Sequence, residues 1–211
     1  MSGDELIEQE IPASDRALLP KPISSAYVAV DNLVKDTPFL QCPPAAMAIG
    51  HLRAWAVDFA VSRLIESNQW RVEAMDWAYY KNRTGRYLRI HTKQSVVTIS
   101  QLVHTADQPR KAEFRTNAGY DNQMFLIAPD RPIVTGKALL LLMHGHQELN
   151  FIHIGMPNPD KRGSTWLGMS ANLLNEIRDA SADLVPSEGP VEAVDLTIRE
   201  ALEKELRDHG T

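Results

Sequence analysis

The pattern of apolar and polar positions changes period along the chain. From Pro43 or Pro44 to Ser67, apolar residues recur at three- and four-residue spacing: Ala48, Leu52, Trp55 and Phe59, and beside them Ile49, Ala56 and Ala60. That spacing predicts a long amphipathic helix. Proline suits its first turn, and Ala45, Ala46, Ala54 and Ala56 favour it. Beyond it the period becomes two. Strands are predicted at about 71–80, 86–93, 95–104 and 111–116, with turns at "KNRTG" (Lys81 to Gly85) and "TADQP" (Thr105 to Pro109). Two further strands, about 138–144 and 149–156, flank a turn at Gly145. Trp166 to Ala180 reads as a helix. So does Val191 to Leu206, whose stripe is Val191, Val194, Ile198, Leu202 and Leu206.

The start of the chain is read differently. Residues 1–25 combine acids, prolines and few large apolar residues before Ile23, which predicts an acidic arm. Tyr27 to Val30 reads as a short strand and Thr37 to Pro44 as a stiff extended link. The sum is an α+β arrangement: a long N-terminal helix on an antiparallel sheet of about six strands, then two C-terminal helices. Because every strand link reads as short, parallel crossovers are not expected. The organisation expected is an arm at 1–25, an α+β domain at 26–186 and an acidic amphipathic helix at 187–211.

Composition narrows the class without naming a function. With 211 residues, 44% of them apolar and 23% charged, the chain can bury a sizeable core without staples. One cysteine, Cys42, excludes an intrachain disulfide and fits a reducing, cytoplasmic setting; it reads as an incidental thiol. The opening MSGDELIEQE is acidic, unlike a secretory leader. The longest apolar run, Ala138 to Met143, is far short of a membrane span, so no membrane partner is expected.

Charge is the stronger signal. The net charge of −5 hides a basic middle between acidic ends. Residues 1–40 carry seven acids and three bases, residues 71–116 nine bases and four acids, and residues 174–211 ten acids and four bases. In "YYKNRTGRYLRIHTK", cations and rings interleave: Lys81, Arg83, Arg86, Tyr87, Arg89, His91 and Lys93. Clustered cations attract phosphates and flat rings stack on bases, so this ribbon is the candidate surface for nucleic acid or an acidic protein partner. The plainer alternative is a solvated sheet face neutralised by the acidic ends.

Two resemblances sharpen the alternatives. In "KALLLLMHGHQELNFIHIG", His144 and His146 are a weak two-ligand metal candidate, with His153 or His104 as a third; a structural hairpin is the preferred reading, and no metal or other cofactor is expected. The same stretch resembles the segment of poly(ADP-ribose) polymerases in which a strand ends in His-Gly. The resemblance implies that His144 and Gly145 hold a nicotinamide ribose and amide, with a helix opening at Asn150 and Phe151. That family also needs a later tyrosine strand, and no tyrosine follows Gly155 here. Glu66, Asp76 and Lys93 resemble the helix-and-strand core of restriction-endonuclease-like enzymes, which implies a metal-dependent nuclease. That family places an acid two residues before the lysine, where this chain has His91.

The expectation is therefore a non-enzymatic binding or regulatory protein of a bacterial or phage-like cytoplasm, using its basic sheet face. The alternatives are a metal-dependent nuclease or hydrolase, and a structural subunit of a larger, phage-like assembly. Self-association through the C-terminal stripe is a further expectation.

Overall fold

The computed structural model describes residues 1–80, 85–109, 122, 136–159, 164–175, 200 and 204. It opens with helices where an arm was expected: α1 (Gly3–Glu10), α2 (Ala13–Arg16) and α3 (Pro20–Asp36). The reason is local and readable. Ser2 and Glu5 form a reciprocal capping box: Ser2 Oγ accepts from the Glu5 N–H at 3.1 Å, and the Ser2 N–H donates to Glu5 Oε2 at 2.6 Å. Pro20 starts α3 from its first turn, where a missing N–H is harmless. Leu6, Ile7, Ile11, Leu19 and Ile23 are all buried in the main core.

Tyr27 to Val30 lies inside α3 and is not a strand. Ile23, Ala26, Tyr27, Val30 and Leu33 share its buried side at helical spacing. The link after it is coiled into two 3₁₀ turns, Pro38–Gln41 and Pro43–Ala45. Helix α4 then runs Ala46–Glu66, as its periodicity predicts, and packs on α3.

Among the described residues the sheet has six strands in sequence order: β1 (Ala74–Tyr79), β2 (Arg86–His91), β3 (Ser95–Leu102), β4 (Ala138–Gly145), β5 (Ile152–Pro157) and β6 (Trp166–Met169). It is mixed, which corrects the antiparallel expectation: β3 and β4 run parallel, from Ser95 opposite Ala138 to Leu102 opposite Gly145. The chain between them, residues 103–137, is long enough for the crossover that parallel pairing requires. The strand expected at 111–116 lies outside the described residues. Trp166 to Met169 is strand β6 and not the start of a helix. Past it, the described residues show a helical turn at 173–175; the rest of the span expected to form the helix to Ala180 lies outside the described residues. The Val191–Leu206 stripe lies outside the described residues; only Glu200 and Lys204 within that span are described, both helical and exposed.

The sheet separates two apolar clusters. On one face Leu88, Ile90, Val97, Leu140, Leu142, Ile152 and Ile154 join the residues of α1, α3 and α4. On the other, Leu102, Leu139, Leu141, Met143 and Phe151 form a second cluster with Trp166 at its edge. Asn122 is buried beside that second cluster for a specific reason. Continuing the β4–β5 register beyond Leu141 and Gly155 brings Leu139 to Pro157, which has no N–H to offer it. The Asn122 amide fills the gap: Nδ2 donates to Leu139 O and Pro157 O, each at 3.1 Å, and Oδ1 accepts from the Leu139 N–H at 2.6 Å. A second buried tie joins α1 to the β2–β3 turn, where Glu10 Oε2 accepts from Thr92 Oγ1 at 2.5 Å and from the Gln94 N–H at 2.7 Å.

Asn122→Ala leaves three buried backbone groups without their partner and should destabilise the fold by about 2–4 kcal/mol. Urea denaturation measures it; a loss under about 0.5 kcal/mol would show the amide is replaceable by solvent.

Candidate partner interface

The β1–β2 hairpin carries the described part of the basic segment. Its register sets Asp76 opposite Arg89, Ala78 opposite Tyr87 and Tyr79 opposite Arg86. Alternation along β2 sends Leu88 and Ile90 into the main core and turns Tyr87, Arg89 and His91 to the opposite face. Arg86 therefore shares its side with Leu88, so the cations of this strand do not form one row. Lys93, exposed, sits past the strand end in the turn to β3. Lys81 and Arg83 lie outside the described residues.

Asp76 holds the cations of the outer face. Arg89 grips it with both ends of the guanidinium edge, Nη2 at 2.6 Å and Nε at 3.1 Å from Oδ2, and His91 Nε2 lies 2.8 Å from Oδ1. Arg89 first, and His91 after it, hold the Asp76 carboxyl below the usual carboxylate range, and Asp76 in turn raises Arg89. Nearby Glu73 is neutralised by Lys137 at 2.7 Å. Arg86 makes no such pair among the described residues: its Cζ lies 4.4 Å from the Tyr79 ring centre, and Nη2 donates to the Tyr79 hydroxyl. Tyr80 and Tyr87 stack at 5.1 Å on the other side of the ribbon. Trp77 and Tyr79 remain 41% and 55% exposed.

The histidine-rich stretch resolves into a different arrangement. His144 ends buried on β4, with Nδ1 2.8 Å from the hydroxyl of Tyr27 on α3. That hydroxyl also donates to Gly145 O. The tyrosine proton is thus committed, Nδ1 carries the histidine proton, and Nε2 is left as a buried nitrogen without a partner. Burial pushes Tyr27 up to about 12 and His144 down to about 4. His146 lies past the strand end and pairs instead with Gln101, Nδ1 to Oε1 at 3.0 Å. Beside this cluster, Ser24, Tyr27, Asp31, Arg53 and Glu148 line a shallow cleft of about 490 Å³, in which Arg53 binds Asp31 at 2.7 Å.

His153 on β5 points elsewhere, with Nδ1 2.9 Å from Ser170 O. Among the described residues no three His, Cys, Asp or Glu side chains come together as metal ligands. Glu66 is exposed and paired with Arg63 at 2.8 Å, while Asp76 is held by Arg89; the nuclease-like trio does not converge. Asn150 and Phe151 are irregular chain leading into strand β5 at Ile152, not the start of the helix that the polymerase resemblance implies. No helix among the described residues is long and apolar enough to cross a membrane. Comparison with known proteins finds no matching family model, no similar curated protein and no similar solved structure.

The Tyr27–His144 pair makes a pH prediction. His144 has a folded pKa of about 4, below its ordinary 6.5, so between those values the unfolded chain binds a proton that the folded one refuses. Stability should then fall as pH drops from 6.5 towards 4, by on the order of 3 kcal/mol in all. Denaturation of wild type and His144→Gln across pH 4–7 checks this. The variant should lose that slope; an unchanged slope would assign it to other groups.

Proposed function

We propose that this chain is a non-enzymatic binding protein whose β1–β2 ribbon takes an acidic segment of a protein partner. One observation carries the reading, the distribution of unmatched charge. The acids on the ribbon are already satisfied, Asp76 by Arg89 and His91, Glu73 by Lys137. Exposed Arg71, Arg86 and Lys93 have no carboxylate partner among the described residues. Exposed Trp77 and Tyr79 lie between Arg71 and Arg86, giving flat apolar surface flanked by positive charge.

The same observation argues against nucleic acid, the other partner class expected from the charge pattern. Following a phosphate backbone takes several free cations on one surface. Here Arg86 faces away from Arg89, and Arg89 and His91 are occupied. A short acidic stretch needs fewer contacts, and ring-lined, partly apolar surface suits a polypeptide.

Fluorescence anisotropy with labelled poly-glutamate and with single- and double-stranded oligonucleotides, titrated with salt, tests the reading. Poly-glutamate should bind at low salt and dissociate as salt rises. Arg71→Gln combined with Arg86→Gln should weaken it about tenfold, near 1.4 kcal/mol. Binding to no polyanion would overturn the proposal, and preference for an oligonucleotide would return the ribbon to nucleic acid.

A further inference from the structure

We infer that the partner binds as an added strand: an extended acidic segment pairs with the open edge of β1. The inference rests on the acidic-partner reading above and specifies its mode. Its basis is the direction of the backbone groups of β1.

Tyr80 N–H donates to Gly85 O at 3.0 Å, in the same register as the strand pair. On the next strand, His91 O accepts from the Glu73 N–H at 2.9 Å, whereas the Thr92 N–H turns to Ser95 O at 3.0 Å. Antiparallel alternation then fixes the whole hairpin. Tyr87, Arg89 and His91 direct their N–H and C=O to β1, and Leu88, Ile90 and Thr92 direct theirs to β3. Ala74, Asp76 and Ala78 therefore face β2, and Met75, Trp77 and Tyr79 turn their N–H and C=O outward. No described residue bonds to those outward groups. Among the described residues no strand flanks β1 on that side.

The other edge of the sheet is treated in the opposite way. Helix α1 lies against β6 so closely that a Cβ on Gly3 would meet Leu167 O at 2.4 Å. Asp4 Oδ1 accepts from the Met169 N–H at 2.9 Å. One edge is capped by the chain's own helix, and the other is left with three outward amides. A long open edge invites pairing unless it is blunted, and β1 has neither proline nor an unpaired acid to blunt it.

Charge selects the occupant. Arg71 and Arg86 bracket the edge, and Trp77 and Tyr79 offer ring surface to alternate side chains of an incoming strand. An extended segment with acids at its ends and apolar residues between them matches both features.

The probe is a fluorescein-labelled octapeptide of alternating glutamate and valine. Two further versions carry N-methyl groups on every second amide, in one phase or the other. The unmodified peptide should bind. One methylated phase should lose at least tenfold in affinity and the other should stay within about twofold, because only one set of peptide amides faces β1. On the protein side Trp77→Pro should abolish binding, since it removes an outward N–H that the β1–β2 ladder does not use. Trp77→Val, which keeps that N–H, should retain it. Should Trp77→Pro fail to fold, amide shifts of Met75, Trp77 and Tyr79 in wild type on peptide addition give the same answer. Equal binding of both methylated peptides, or binding of poly-glutamate without the octapeptide, would overturn strand addition while leaving the acidic-partner reading. Binding of neither would overturn both.

Discussion

The fold depends on a strand that water never reaches. Every residue of β4 from Ala138 to Gly145 is buried, so the sheet must be covered on both faces. Helices α1, α3 and α4 supply one cover, and the Leu102, Leu139, Leu141, Met143 and Phe151 cluster marks the other. A strand buried on both sides gains from every side chain, at roughly 25 cal/mol per Å² of apolar surface removed from water. It also permits no unsatisfied backbone. That is why Asn122 is placed where Pro157 withholds an N–H, and why the neutral Tyr27–His144 pair closes the strand's far end. The hairpin β1–β2 is the contrasting part, lying at the sheet margin, with only Leu88, Ile90 and Met75 reaching the core.

This contrast decides how much of the fold was legible. Strand β2 and helix α4 announce themselves because each keeps an exposed or half-exposed side, and such alternation prints a period on the sequence. Strand β3 is legible instead through its alternating polar and apolar residues, although Ser95, Thr98 and Ser100 are buried. The run Ala138 to Met143 has no period, and that absence was itself the signal: continuous apolar strands accompany parallel pairing. Reading every strand link as short hides it, because a parallel pair needs the longer connection that residues 103–137 provide. The N-terminal helices are hidden by acids and prolines, which suit an extended arm equally well. Ser2 with Glu5 is a capping box, and Pro20 is a helix opener of the same kind accepted at Pro43. Tyr27 to Val30 has high strand propensity, but tertiary packing of Ile23, Tyr27 and Val30 at helical spacing prevailed.

The candidate interface was half legible. Its basic character is plain in the sequence, and Arg86, Tyr87 and Arg89 do lie on a ribbon. The missing half is three-dimensional. Asp76 meets Arg89 and His91 only through the hairpin register, and no spacing rule marks a carboxylate thirteen residues from its arginine. The same holds for Tyr27 and His144, 117 residues apart. Trp77 gives no signal in the sequence because it precedes the basic run, and Arg71 and Tyr79 read there only as part of the general charge and ring pattern. Their importance comes from being at an edge, and edges exist only once strands have an order.

Strand β1 presents, among the described residues, an unpaired edge. Amide hydrogen exchange followed residue by residue tests it most directly. Exchange should alternate along β1: fast at Met75, Trp77 and Tyr79, slow at Asp76 and Ala78, and slowest of all across Leu140 to Met143. Uniform protection along β1 would contradict it, because it would mean that the edge is already covered by the chain itself or by a second copy.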